Sequence, residues 1–185
     1  MGLSDSLEVF RIYGQESSSS AELSRVLIKF PVTGANGGSG YSIKTDRDNG
    51  VIPASGSVSF YLRLFNAPHP FTLPRDYNLT IAAVSRSWDE GTGLDMEAYS
   101  DSGSANWSSA VSSSSGVVHW GTAGGDFHTT PKFSAYVDKG PDDLEVEITW
   151  LVEEWISGST AGAGGSTLGK ENDGVGIYLT NESAY

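Results

Sequence analysis

Cysteine is absent from this chain of 185 residues and basic side chains are scarce, with 11 Lys and Arg against 23 Asp and Glu for a formal charge of −12. Without thiols there are no disulfides, no cysteine-ligated metals and no thiol nucleophile. The few basic residues are scattered, whereas a surface that tracks nucleic-acid phosphates needs them clustered. The acidic balance suits a soluble protein that meets cations, sugars or other protein surfaces. No apolar run approaches the roughly 18 residues of a membrane-spanning helix. Met1 is followed by no basic and apolar leader, so no export signal is read there. Neither nucleic acid nor membrane is expected as a partner.

Familiar catalytic spacings are missing too. There is no Gly-x-Ser-x-Gly elbow, no zincin helix and no P-loop. His69, His119 and His128 lie near Pro, Gly and aromatic residues with no spacing that identifies an orienting partner, and read as structural or surface residues. Asp89, Glu90 and Asp95 could supply the two carboxylates of a glycosidase, but among 23 acids some pair always looks suggestive. The expectation is a protein without catalytic residues or an organic cofactor. One metal is worth weighing: TDRDNG at Thr45 to Gly50 offers Asp46, Asp48 and Asn49 to a hard cation such as Ca²⁺. The spacing is not that of an EF-hand, and an Asx-turn that reverses the chain is the expected role.

The residues that are abundant predict strands. Leu7–Phe10 and Arg25–Phe30 are β-branched, aromatic or long aliphatic, separated by the polar QESSSS run. In the second, Val26, Ile28 and Phe30 share a face and Pro31 ends the ladder. Val58, Phe60, Leu62 and Leu64 alternate with Ser59, Tyr61, Arg63 and Phe65, which predicts a core strand. A further strand runs over Asn78–Val84 with Leu79 and Ile81 inward, and Pro68, Pro70 and Pro74 exclude a helix before it. Leu144, Val146 and Ile148 alternate with solvent-facing Glu145 and Glu147. Val175, Ile177 and Leu179 share a face near the end. Between those two segments Leu151, Val152, Trp155 and Ile156 fall at helical spacing, with Thr149 as N-cap and Gly158 as C′ residue, so a short helical turn is predicted over about 151–157. The loops TGANGGSG at Thr33–Gly40 and Gly158–Gly169, and the Ser-rich run around Val117–Trp120, are expected at the surface. Short strands, long loops and one helical turn predict an all-β fold, an antiparallel jelly-roll-like β-sandwich forming a single domain over residues 1–185.

The least regular stretch holds the largest residues. In SWDEGTGLDMEAYSDSGSANW, Trp88 and Trp107 bracket turn formers and acids, so two apolar anchors hold a segment whose backbone otherwise prefers water. This loop is expected to act as a brace between two strands, with its acids accepting hydrogen bonds from nearby backbone N–H groups. Tyr99, Trp107, Trp120 and Tyr136 are candidates for a stacking platform on which sugar rings could lie, the competing role being to close the ends of the sandwich.

Three blocks in fixed order are similar to a known pattern: SRVLIKFPV at Ser24–Val32, VSFYLRLFNA followed by SRSWDEGTGLD, and LEVEITWLVEEWISG with GVGIYL. The chain resembles the DNRLRE family, β-sandwiches of secreted bacterial proteins that overlap with a carbohydrate-binding-module family, with similar modules in virion proteins of marine tailed phages. The resemblance covers most of the chain and is carried by Trp88, Asp89, Glu90, Gly91, Gly93, Asp95, Asn106, Trp107, Thr149, Val152, Trp155 and Gly158. The first segment of the family pattern is nearly missing, and the chain stops soon after the last matched strand, as in a trimmed or partial module. The spelling is closest to the phage group. It implies a non-catalytic virion structural protein, a capsid decoration, neck or tail-fibre module, partnered by other virion proteins or by its own copies in a capsid or tail lattice. The alternative it implies is a secreted carbohydrate-binding module or adhesin domain, extracellular and bound to a glycan.

Overall fold

The computed structural model describes residues 6–13, 21–33, 42–68, 75–91, 103–139, 142–157 and 170–182. Among these residues ten strands and two helices follow in the order β1 (Arg11–Tyr13), β2 (Ala21–Leu23), β3 (Val26–Ile28), α1 (Ile43–Asp48), β4 (Tyr61–Leu64), β5 (Tyr77–Val84), β6 (Ser109–Ser113), β7 (Gly116–His119), β8 (Phe127–Val137), β9 (Leu144–Glu147), α2 (Thr149–Ser157) and β10 (Val175–Leu179). Every ladder is antiparallel. The centre is a four-stranded sheet in the order β3-β10-β5-β8, accompanied by the pairs β1-β2, β4-β9 and β6-β7. The protein is an all-β, sandwich-like fold with short helices. From β3 onward the chain leaves the central sheet and returns to it, at β5, β8 and β10, in the alternation of nested Greek keys.

Alternation along the central strands explains what covers them. Val26 and Ile28 of β3, Leu79, Ile81 and Ala83 of β5, and Val175 and Ile177 of β10 point to one face, where they pack with Leu62 of β4, Val146 of β9 and Leu151, Val152, Trp155 and Ile156 of α2. Leu27 and Val84 point the other way, into a smaller cluster with Ala110 of β6, Trp120, Trp88 and Phe127. The β6-β7 hairpin therefore lies over the opposite face of the central sheet from β4-β9. Leu79 to Val84 is buried without interruption, and at Val84 the second face is covered by Ala110 of β6 with Trp88, Trp120 and Phe127.

Several elements differ from expectation. Leu7–Phe10 is not a strand; the first ladder begins at Arg11, and the Phe10 carbonyl instead accepts from Ser24 N at 3.1 Å. The Val58–Phe65 strand narrows to Tyr61–Leu64 and pairs with β9 alone among the described residues, although its inward set is right: Leu62 is buried, Val58, Phe60 and Leu64 are half-buried, and Tyr61, Arg63 and Phe65 are exposed. The Ser-rich run forms a hairpin in which Ser109 and Ala110 are buried. In α2 Thr149 is the first helical residue and does not cap it: its Oγ1 accepts from Phe60 N at 2.8 Å and donates to Glu147 at 3.0 Å, stitching the helix start to the residue before β4. The Gly158–Gly169 loop, the QESSSS run and all of TGANGGSG but Thr33 lie outside the described residues.

The TDRDNG segment is a helix, not an isolated turn. Ser42 caps α1 by accepting from Thr45 N at 3.1 Å, and Asn49 ends it. Asp48 pairs with Lys44 one turn back at 2.7 Å. Arg47 makes a two-pronged bond to Glu153 of α2 at 2.8 and 3.0 Å. That bond raises the arginine above its ordinary range and holds the Glu153 carboxyl below its own. The helix Asp46 and Asp48 share is thus docked on α2, and the described residues hold no group of three or more acids and histidines that could take a metal.

Candidate functional site

A concavity of about 600 Å³ opens where the β3 edge meets the second face of the central sheet. Its lining includes Phe10, Arg25, Trp88, Glu90, Trp107 and Trp120. The two ends of the Trp-bracketed stretch meet here. Ala105 N donates to Asp89 O at 2.7 Å, Asp89 N to Ala110 O at 3.1 Å, and Gly103 N to Ser112 O. Gly91 sits at φ +74°, and any Cβ there would overlap the Ser104 side chain. The described ends of the stretch are bonded to each other and to β6, with Asp89 taking part through main-chain groups; Asp89 and Glu90 are both exposed at the rim, and residues 92–102 lie outside the described residues.

Four of the five tryptophans have different duties. Trp88 is half-buried and donates its indole N–H to Asp173 O at 2.7 Å. Trp120 is 7% exposed and donates to Asn106 O at 2.8 Å. The Asn106 side chain in turn accepts from Ser108 N and Ser109 N, both at 2.9 Å, an Asx-turn that starts β6. Trp107 is 40% exposed and stands beside Arg25. Trp155, 1% exposed, belongs to the main core on the far face.

Arg25 is the charged centre of the cleft. Its guanidinium donates to both oxygens of Glu182 at 2.8 and 2.6 Å and to Gly124 O at 3.0 Å. It lies over the rings of Trp107 and Tyr178, each 5.0 Å away, and of Phe127 at 5.7 Å. Sequence reading missed this residue because its partners are far along the chain. The neighbouring Gly121–Asp126 turn is organised by Asp126. Burial alone would raise that carboxyl, but bonds from Gly121 N, Arg86 and Thr122 N outweigh it and hold it below the ordinary range.

Of the four platform candidates, Trp107 and Trp120 line the same cleft and Tyr136 stands apart from it. Trp120 is buried and Trp107 flanks the cleft. Tyr136, 55% exposed, lines a separate groove beside β9 and donates to Asp76 at 3.0 Å, an anion that pushes its phenol up. Tyr99, Gly93, Asp95 and Gly158 lie outside the described residues, as does His69. His119 is exposed and its Nδ1 bonds the Ser109 hydroxyl at 3.1 Å. His128 is half-buried, and desolvation with Lys170 nearby lowers its pKa against the opposing pull of Glu154 and Asp173.

No family model, curated protein or solved structure matches the chain.

Proposed function

We propose that this chain is a non-catalytic structural module, and more particularly a component of a tailed-phage particle that contacts other virion proteins or further copies of itself. The observation that carries the first step is how the conspicuous polar atoms are used. The Arg25 guanidinium, the Trp88 and Trp120 indole N–H groups and the Asn106 amide all bond to the protein's own framework. Chemistry on a substrate needs such groups aimed at it; here they tie loops to sheets. The second step rests on the SWDEG…ANW and LEVEIT…VEEW spellings of the phage group. The test is cryo-electron microscopy of particles produced from the encoding genome. Symmetric copies of the fold in the particle are the expected result; particles that lack the chain overturn the virion reading, and turnover of a polysaccharide by the purified chain overturns the non-catalytic one.

A second reading, a secreted carbohydrate-binding module, is favoured by one observation: Trp107 stands 40% exposed beside an open cleft, and an indole face suits the apolar face of a sugar ring. Polysaccharide pull-down by the parent chain that disappears in Trp107→Ala, with an unchanged melting temperature, selects this reading over the first.

A further inference from the structure

A second groove, about 410 Å³, runs between β8 and β9 and is lined by Phe133–Tyr136 and Leu144–Glu147. Its walls are the outermost strands of two different ladders: β8 ends the central sheet and β9 pairs only with β4 among the described residues. The direction of each ladder's hydrogen bonds follows from three bonds. Ile148 N donates to Phe60 O at 2.9 Å, so by alternation Val146 and Leu144 face β4, and Glu145 and Glu147 turn their main-chain groups the other way. On β5, Asn78 O accepts from Thr180 N and Val84 N donates to Gly174 O, each at 2.9 Å. Those positions face β10, so Leu79 and Ile81 face their register partners Ala135 and Phe133, and Ser134 and Tyr136 present their main-chain groups to the open side. Among the described residues, two unpaired strand edges thus border one groove, with the half-buried side chains of Phe133 and Leu144 packed on the core beside it.

Bare edges are templates for another strand, and native proteins usually cover or blunt them. The charges say which strand fits. Glu145, Glu147, Asp142 and Asp143 are exposed along β9 and the turn before it, against Lys132 and Lys139 from the β8 side; Glu145 is bonded to Arg63 of β4 at 2.6 Å. A second copy of a chain carrying −12 is repelled from this seam. We infer that the β8–β9 groove binds an extended segment of a basic partner polypeptide by strand addition, its main chain pairing with Glu145 and Glu147 or with Ser134 and Tyr136, its apolar side chains turned to the groove and its Lys or Arg residues turned to the acids. The inference rests on the fold alone and is independent of where the protein resides.

The test mixes the ¹⁵N-labelled whole chain with an N-acetylated eight-residue peptide of alternating lysine and valine and follows amide exchange by NMR. In the free chain the amides of Ser134, Tyr136, Glu145 and Glu147 should exchange rapidly. With the peptide, exchange along at least one of the two edges should slow about tenfold or more, and a lysine-proline peptide, which cannot pair, should have no effect. The Glu145→Lys, Glu147→Lys chain should bind the lysine-valine peptide about tenfold more weakly while keeping its circular dichroism. Should that variant unfold, a glutamate-valine peptide on the parent chain decides the same point, and weaker binding is expected. Protection already present in the free chain, protection confined to other amides, equal binding of the glutamate-valine peptide, or concentration-dependent self-association that covers these amides overturns the proposal.

Discussion

The indole N–H of Trp88 donates to the main-chain oxygen of Asp173 at 2.7 Å, across 85 positions of sequence. One bond therefore holds the start of the Trp-bracketed stretch to the segment that leads into β10. Trp88→Phe keeps most of the ring and removes the donor. It should cost about 1–3 kcal/mol, because the Asp173 carbonyl is left without that partner in a part-buried place. Urea unfolding of the two chains measures it, and equal midpoints would show that water replaces the indole.

Arg25 bonds Glu182 and Gly124 and faces three aromatic rings. Arg25→Lys keeps the charge and loses the planar fork that allows two parallel bonds and stacking. We expect a loss of about 1–2 kcal/mol for Arg25→Lys and about 2–4 kcal/mol for Arg25→Ala, which also leaves a half-buried Glu182 unpaired. Equal stability of all three chains in denaturant melts would mean the cage contributes nothing.

Gly174 has φ +86°, and a Cβ there would overlap the Ile28 carbonyl oxygen of β3. Gly174→Ala combines left-handed strain with a backbone collision, so about 2–4 kcal/mol is expected. Hydrogen exchange should locate the damage at the β3-β10 ladder, and uniform loss across the sheet would argue against that cause.

Two aspartates should act oppositely with pH. Asp126 has its folded pKa depressed, so its contribution is present above the unfolded value near 4 and is lost as pH falls through the lower folded value. Asp173 is raised, chiefly by burial, with Lys29 opposing; its charged form is disfavoured in the fold, and it lowers stability as pH rises through that raised value. Melting temperatures of Asp126→Asn should therefore fall less steeply in acid than those of the parent, whereas Asp173→Asn should melt higher than the parent at pH 7. The reverse order in either case refutes the assignment.

Period-2 patterns made the strands with one wet face readable: Leu144, Val146 and Ile148 against Glu145 and Glu147, and Leu62 between Tyr61 and Arg63. β5 hid its environment because Thr80, Ala82 and Val84 are small or apolar on its second face, where Val84 meets Ala110 of β6 from far along the chain. TDRDNG was misread because its helix is short and draws on Ser42 and Glu153 for support, one of them distant in sequence. At the cleft, Trp88 and Trp107 announced themselves by composition. Arg25 did not, since an arginine in an apolar run gives no sign that Glu182 waits near the other end of the chain.

The register of β3 on β10 has a mechanical consequence. Val26 opposes Ile177, so the N-terminal end of β3 lies beside the C-terminal half of β10. Tension applied through the two sides of the chain loads this ladder from one end, rung by rung, as a zipper and not in shear. The Arg25–Glu182 bond lies at the mouth of that zipper. Once the Phe10–Ser24 bond and the β1-β2 ladder have opened, it is the first connection at this ladder to carry force, and pulling single molecules of Arg25→Ala should lower the rupture peak of the β3-β10 ladder; an unchanged peak would place the load elsewhere.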